Sequence, residues 1–123
     1  MYKNILLIII VASLTITSQI FLKKGLRMIG GVRASNMQEI FSTILRFLQN
    51  KFIILGVCVA AVTAFLWLAV ISKIELTTAF PISGGIFYIL LFLFSWFFLG
   101  ETITLAKILG VAVIISGIYL IFR

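Results

Sequence analysis

Few side chains in this sequence are able to do chemistry. Among 123 residues there are three acids, Glu39, Glu75 and Glu101, with no Asp and no His. The usual general base and the commonest metal ligand are therefore missing. A single cysteine, Cys58, excludes an intrachain disulfide and a Cys-rich metal site; its default role is that of a small buried hydrophobe. Neither metal-ligand spacing nor a phosphate loop occurs. Three glutamates scattered at segment ends do not make a paired-carboxylate site. No enzyme, metal site or cofactor is predicted.

What remains is a set of polar groups inside apolar sequence, where each is costly and needs a reason. Ser13, Thr15, Thr17, Ser18 and Gln19 fall within seven positions. Thr15, Gln19 and Lys23 are spaced i, i+4, i+8 and share one helical stripe. That stripe is either helix–helix glue or the lining of a cavity that ends in the Lys23 cation. Lys24 is expected to snorkel toward headgroups. Lys73 and Glu75 flank one short connection as interfacial anchors, and Glu75 can instead cap the helix that follows. Glu101 has the same local logic at the next helix. Lys107, about one turn inside that helix, either snorkels or reaches toward Glu101 or an anionic ligand.

These groups must be held by elements that suit hydrocarbon. The chain is 63% hydrophobic and 11% charged, with a mean hydropathy of +1.33. A soluble domain would be roughly half apolar and about a quarter charged. Four segments approach the ~20 apolar residues that a spanning helix needs: about 5–22, 52–72, 76–99 and 103–122. Strand alternation is absent, so a barrel is not expected. The first segment has no small-x-small cleavage site after it, and it is read as a retained helix rather than a signal peptide. The chain is thus predicted to be an all-α membrane protein, one four-helix domain over residues 1–123.

Between the first two spans lies a shorter helix, predicted over 36–49. Ser35 and Gln38 have capping-box spacing. Met37, Ile40, Phe41, Ile44, Leu45 and Leu48 recur at helical spacing, while Glu39, Ser42, Thr43, Arg46 and Gln49 fall elsewhere on the wheel. The segment is too short and polar to span and is expected to lie in the membrane interface, as a connector on lipid or as a platform over a substrate entrance.

The net charge of +7 sits beside apolar runs, where anionic lipid is a better counter-charge than nucleic acid; no nucleic-acid partner is predicted. Lys23, Lys24, Arg27, Arg33, Arg46, Lys51 and Lys107 fall on one side of the predicted spans, and Lys3, Lys73 and Arg123 on the other. This bias places the first and third connections in the cytoplasm and both termini outside.

The third span contains Ala79-Phe80-Pro81-Ile82-Ser83-Gly84-Gly85. Pro81 lacks an amide and frees a carbonyl one turn back, and Gly84 and Gly85 permit bending. The segment is either a hinge or a helix whose proline sits harmlessly in its first turn. In the fourth span Ala106, Gly110 and Gly117 lie on nearly one face, which suits close approach of a second subunit. Trp96 fits an interfacial aromatic belt.

Leu99-Gly100-Glu101, Lys107, Gly110, Ser116-Gly117-Ile118-Tyr119 and Leu76-Thr77-Thr78-Ala79-Phe80-Pro81 resemble segments of the drug/metabolite transporter superfamily. The length resembles its short four-helix branch, which holds small multidrug resistance exporters, EamA-like half-units and flippase subunits for undecaprenyl-phosphate-linked aminoarabinose. The small exporters carry a membrane glutamate eight residues before a lysine; counting back from Lys23 gives Thr15. The Gln19 to Lys23 spacing, Ala79-Phe80-Pro81 and the Glu101 to Gly110 spacing look instead like the flippase subunits. That resemblance implies that Gln19, Lys23 and Glu101 contribute to a site.

The leading expectation is a flippase-like transporter in the cell (inner) membrane for a lipid-linked sugar or related anionic lipid. Lys23, with Lys24, Arg27 or Lys107, would hold the phosphate, and Ser13, Thr15 and Gln19 would line a groove for the head. The alternatives are a small exporter of cationic compounds and a non-transporting subunit that anchors a glycosyltransferase. Four helices rarely enclose a path, so a dimer is expected. The charge bias favours a parallel homodimer or a heterodimer with a homologous four-helix subunit.

Overall fold

The computed structural model describes residues 2–121. Phe122, the last residue of the fourth predicted span, and Arg123, counted in the charge bias, lie outside the described residues. Five helices follow in order: α1 (Tyr2–Met28), α2 (Met37–Gln49), α3 (Lys51–Ile71), α4 (Leu76–Phe94) and α5 (Leu105–Ile121). A π-helical turn, Ser95–Leu99, continues α4. There is no strand among the described residues.

Among the described residues, three stretches are long and apolar enough to cross a membrane: Lys3–Met28, Lys51–Ile71 and Leu76–Leu99. The apolar α5 has 17 residues, about 25 Å of helix at 1.5 Å per residue, short of that length. Large apolar side chains ring the bundle, among them Phe65 at 75% exposure and Val113 at 71%. An outer surface of this kind suits a membrane-embedded all-α protein.

α1 runs past its predicted end at Leu22 because backbone hydrogen bonding continues through Lys23 and Lys24, where the apolar run stops. It forms the centre of the bundle, packed against α3 on one side and α4 on the other. The α1–α3 seam is tight. A Cβ on Gly56 would lie 2.7 Å from Leu22 Cγ and 3.1 Å from the Leu22 amide nitrogen. Gly25 meets Ile53 and Asn50 in the same way. The buried Ser18 hydroxyl donates to the Gly56 carbonyl at 2.7 Å. Close backbone approach at small residues, sealed by a hydroxyl, is a common packing device between apolar helices.

The apolar core of Ile8, Val11, Val70 and Ala79 joins the start of α1 to the end of α3 and the start of α4. The opposite end of the bundle is left for polar groups.

The capping box expected from Ser35 and Gln38 does not form as such. α2 starts at Met37, and Glu39 accepts instead from the Ser35 amide at 3.1 Å. Thr43, grouped with the polar face in the sequence, is buried and donates to the Arg33 carbonyl at 2.9 Å. The opposite face leaves Met37, Phe41 and Leu48 more than 60% exposed. Asn50 ends α2 and caps α3, its side chain accepting from the Phe52 and Ile53 amides at 3.0 and 3.2 Å.

Pro81 lies inside α4, as its sixth residue, and not in the first turn. The helix continues through it to Phe94. Gly85 is buried, with Ile118 of α5 at 3.1 Å from where its Cβ would be, so it serves as a contact point for α5. Nothing lies within 4 Å of the corresponding position at Gly84.

Candidate functional site

α4 does not run straight into its connection. Its last turn widens to the π form, Gly100 adopts the left-handed conformation at φ +62°, and its amide returns to the Ser95 carbonyl. The Glu101 amide reaches the same carbonyl at 3.4 Å. Only a residue without a Cβ enters this conformation cheaply. The wide turn brings Ser95 and Glu101 together, facing α1; such turns are frequent at functional sites.

The Glu101 carboxylate is the junction of the site. Lys23 Nζ donates to Oε1, the Ser95 hydroxyl donates to Oε2 at 2.5 Å, and Arg27 Nη2 lies 3.9 Å from Oε1. The hydrogen bond from Lys23, followed by that from Ser95, holds the carboxyl below its ordinary value of 4.5 against a smaller opposing effect of desolvation. Glu101 therefore does not cap α5. That helix takes Thr104, whose carbonyl accepts from the Lys107 and Ile108 amides at 3.0 and 3.2 Å.

Around this junction opens a cavity of about 350 Å³ between the second half of α1, the end of α4 and the connection to α5. Gln19, Lys23, Ser95, Glu101, Thr102 and Lys107 are its polar lining, and Ile16, Leu91 and Leu99 are among its apolar walls. Lys107 Nζ donates to the Thr102 carbonyl at 3.1 Å rather than to Glu101. Two cations against one carboxylate leave the wall positive, and Arg27 stands just outside it. The arrangement can receive an anion beside Lys23 and Lys107 with an amide group from Gln19 nearby.

Four of the six residues singled out from the sequence as substrate-binding, Gln19, Lys23, Glu101 and Lys107, thus meet at one cavity. Ser13 and Thr15 do not join them. The Ser13 hydroxyl donates to the Ile9 carbonyl and that of Thr15 to the Val11 carbonyl, both at 2.8 Å. Thr15 lines a second cavity, nearer the apolar end, between α1, α3 and α4. Ser95 carried no signal in the sequence, because its role depends on the turn that brings it back to Glu101.

The predicted dimer stripe, Ala106, Gly110 and Gly117, is exposed. Helix α5 turns Val111 and Ile118 inward, and the stripe lies about 100° around the helix from them.

Fold and site define a class: a helical chain with, among the described residues, three helices long and apolar enough to cross a membrane, and a cation-rich cavity at one end of its bundle. No protein-family model, curated protein or solved structure matches the chain.

Proposed function

We propose that this chain is a multi-pass membrane transporter subunit of flippase type that moves an anionic, phosphate-bearing lipid. A polyprenyl-phosphate sugar is the substrate class suggested by the Gln19 to Lys23 and Ala79-Phe80-Pro81 patterns. The observation that carries the reading is the positive cavity formed by Gln19, Lys23, Lys107 and the Lys23–Glu101 pair. A phosphate at the end of a span is attracted there while its hydrocarbon stays in apolar surroundings. A charge crossing the membrane centre costs several kcal/mol, so the transfer needs a polar path, and Gln19 is the first polar group below Lys23 on the same face.

Four crossings complete this reading, with α5 as the fourth. The first and third connections face the cytoplasm. α2 lies in the interface with Met37, Phe41 and Leu48 toward lipid. Pro81 and Gly84 give α4 room to bend. The stripe Ala106, Gly110 and Gly117 is where a second subunit packs, either another copy or a homologue. The cell (inner) membrane is the setting.

Proton-coupled export of cationic compounds is less well supported. It calls for a carboxylate that takes up a proton near neutral pH, and Glu101 is pushed the opposite way by Lys23.

The test is translocation of a polyprenyl-phosphate-linked sugar in proteoliposomes, with any partner subunit present. Lys23→Ala and Gln19→Ala each reduce the rate. Unchanged translocation in both variants overturns the reading.

A further inference from the structure

The second cavity follows the first along the same two helices. On α1, Val11, Ala12 and Thr15 give way to Ile16, Gln19 and Lys23; on α4, Phe80, Gly84 and Phe87 give way to Leu91 and Ser95. Four residues, one helical turn of about 6 Å, separate Thr15 from Gln19 and Phe87 from Leu91. The two spaces are therefore neighbours on the α1–α4 seam, one at the cationic end and one deeper among the apolar helices. Each has a volume of about 350 Å³, at the lower end of the ~300–1,000 Å³ usual for small-molecule sites.

Their chemistry differs. No charged side chain lines the deeper cavity. It contains three hydroxyl residues, yet each hydroxyl is turned back into its own helix. Thr15 donates to the Val11 carbonyl at 2.8 Å, Thr63 to the Val59 carbonyl at 2.7 Å and Ser83 to the Phe80 carbonyl at 3.0 Å. With their donor hydrogens used in this way, these residues offer mainly methyl and methylene surface. Trp67 and Phe80, edge to face with centroids 5.3 Å apart, form an aromatic wall. Gly84 leaves the α4 wall open. A polar headgroup finds none of the three hydroxyls free to donate here, and a cation finds no counter-charge. A hydrocarbon chain finds walls that match it.

We infer that this deeper cavity is the tail site of the same ligand: it holds the hydrocarbon chain of a phosphate-bearing lipid whose phosphate sits at Lys23 and Lys107. The inference rests on the proposed function, since it takes the cationic cavity as the head site. It adds a reason for the ligand to be an amphiphile: the positive cavity and the apolar cavity adjoin along one seam. Ser13 and Thr15, expected from the sequence to contact the polar head, take no such part; Thr15 contributes its methyl group to the tail site.

Chain-length dependence tests it. Binding of farnesyl phosphate and of dimethylallyl phosphate is measured on the full chain in nanodiscs. Gly84→Leu fills the deeper cavity from a position with nothing within 4 Å. It is expected to weaken farnesyl phosphate roughly tenfold, the equivalent of about two methylenes denied burial, and dimethylallyl phosphate less than about twofold. Ser83→Leu, on the same wall, gives the same split should Gly84→Leu not fold. Lys23→Ala weakens both ligands. If the filled cavity weakens neither ligand, or weakens both equally, the tail site is overturned while the head site stands. If Lys23→Ala weakens neither, the head site and the proposed function fail instead.

Discussion

α1 meets α3 and α4 on different terms. Toward α3 it presents Leu22, Gly25 and Ser18, and the backbones come so close that Gly56 has no room for a Cβ. Toward α4 it presents Gln19, Lys23 and Thr15, and the seam opens into two cavities. Both faces carry a hydroxyl residue, Ser18 on one and Thr15 on the other, so the presence of a hydroxyl does not separate them. Geometry does. A hydroxyl bonded across a seam closes it, whereas hydroxyls bonded within their own helices leave a seam free to part. The polar cluster of α1 is thus glue on one side and the wall of a site on the other.

The sharpest way to break this comparison is to add one methyl group on each seam. Gly56→Ala and Gly25→Ala push into Leu22 and Ile53 and are expected to destabilise the fold by roughly 1–3 kcal/mol. Gly84→Ala meets open space and is expected to be neutral or to stabilise by up to about 1 kcal/mol, through helix propensity. Denaturant titration in mild detergent reads all three. Equal losses would show that the two seams are equally packed.

A smaller effect separates the hydroxyls. Ser18→Ala removes the bond to the Gly56 carbonyl, and interhelical bonds of this kind in membranes average about 0.6 kcal/mol and reach roughly 1.7. Thr15→Val removes a bond within one helix and is expected to change stability by less than about 0.5 kcal/mol. The same titration compares them, and a larger loss for Thr15→Val would place a cross-seam role on the wrong face.

The smallest effect belongs to the open seam. Lys23 lowers the Glu101 pKa, so the pair contributes stability at neutral pH and above the ordinary carboxylate range, and loses it as pH falls through the depressed folded value. Both side chains are partly exposed, and the contribution is small and sensitive to salt. Lys23→Ala should move the acid loss upward toward 4.5. A pH series at low salt, read by carboxylate infrared absorption, checks it. An unchanged Glu101 titration in Lys23→Ala would remove the pair from the account.

Much of the architecture was legible in the sequence, because hydrophobic runs and helical periodicity are local properties. α3 begins and ends within one residue of its predicted bounds, α2 starts one residue late, and α4 keeps the predicted start at Leu76. The errors lie where local signals compete. Lys23 and Lys24 end the apolar run without ending the helix. Ser35 and Gln38 had capping spacing, yet Glu39 reached back instead. The small residues expected at a subunit contact are Ala106, Gly110 and Gly117, and those that touch another helix closely inside the chain are Gly25, Gly56 and Gly85. Nothing local distinguishes them, since a small residue matters only where a second helix crosses.

The sequence by itself determined that this chain is helical, apolar enough for a membrane, poor in acids and cationic toward one end of its helices. Those follow from transfer energies and from hydrogen bonds made within single segments. Only the tertiary structure decided that Lys23 pairs with Glu101, 78 residues away, that Ser95 joins them through a π turn, and that Thr15 belongs to a different cavity from Gln19. Each depends on which faces of α1 and α4 meet. Helical periodicity fixes a residue's angle around its own axis and leaves the partner of that angle to packing.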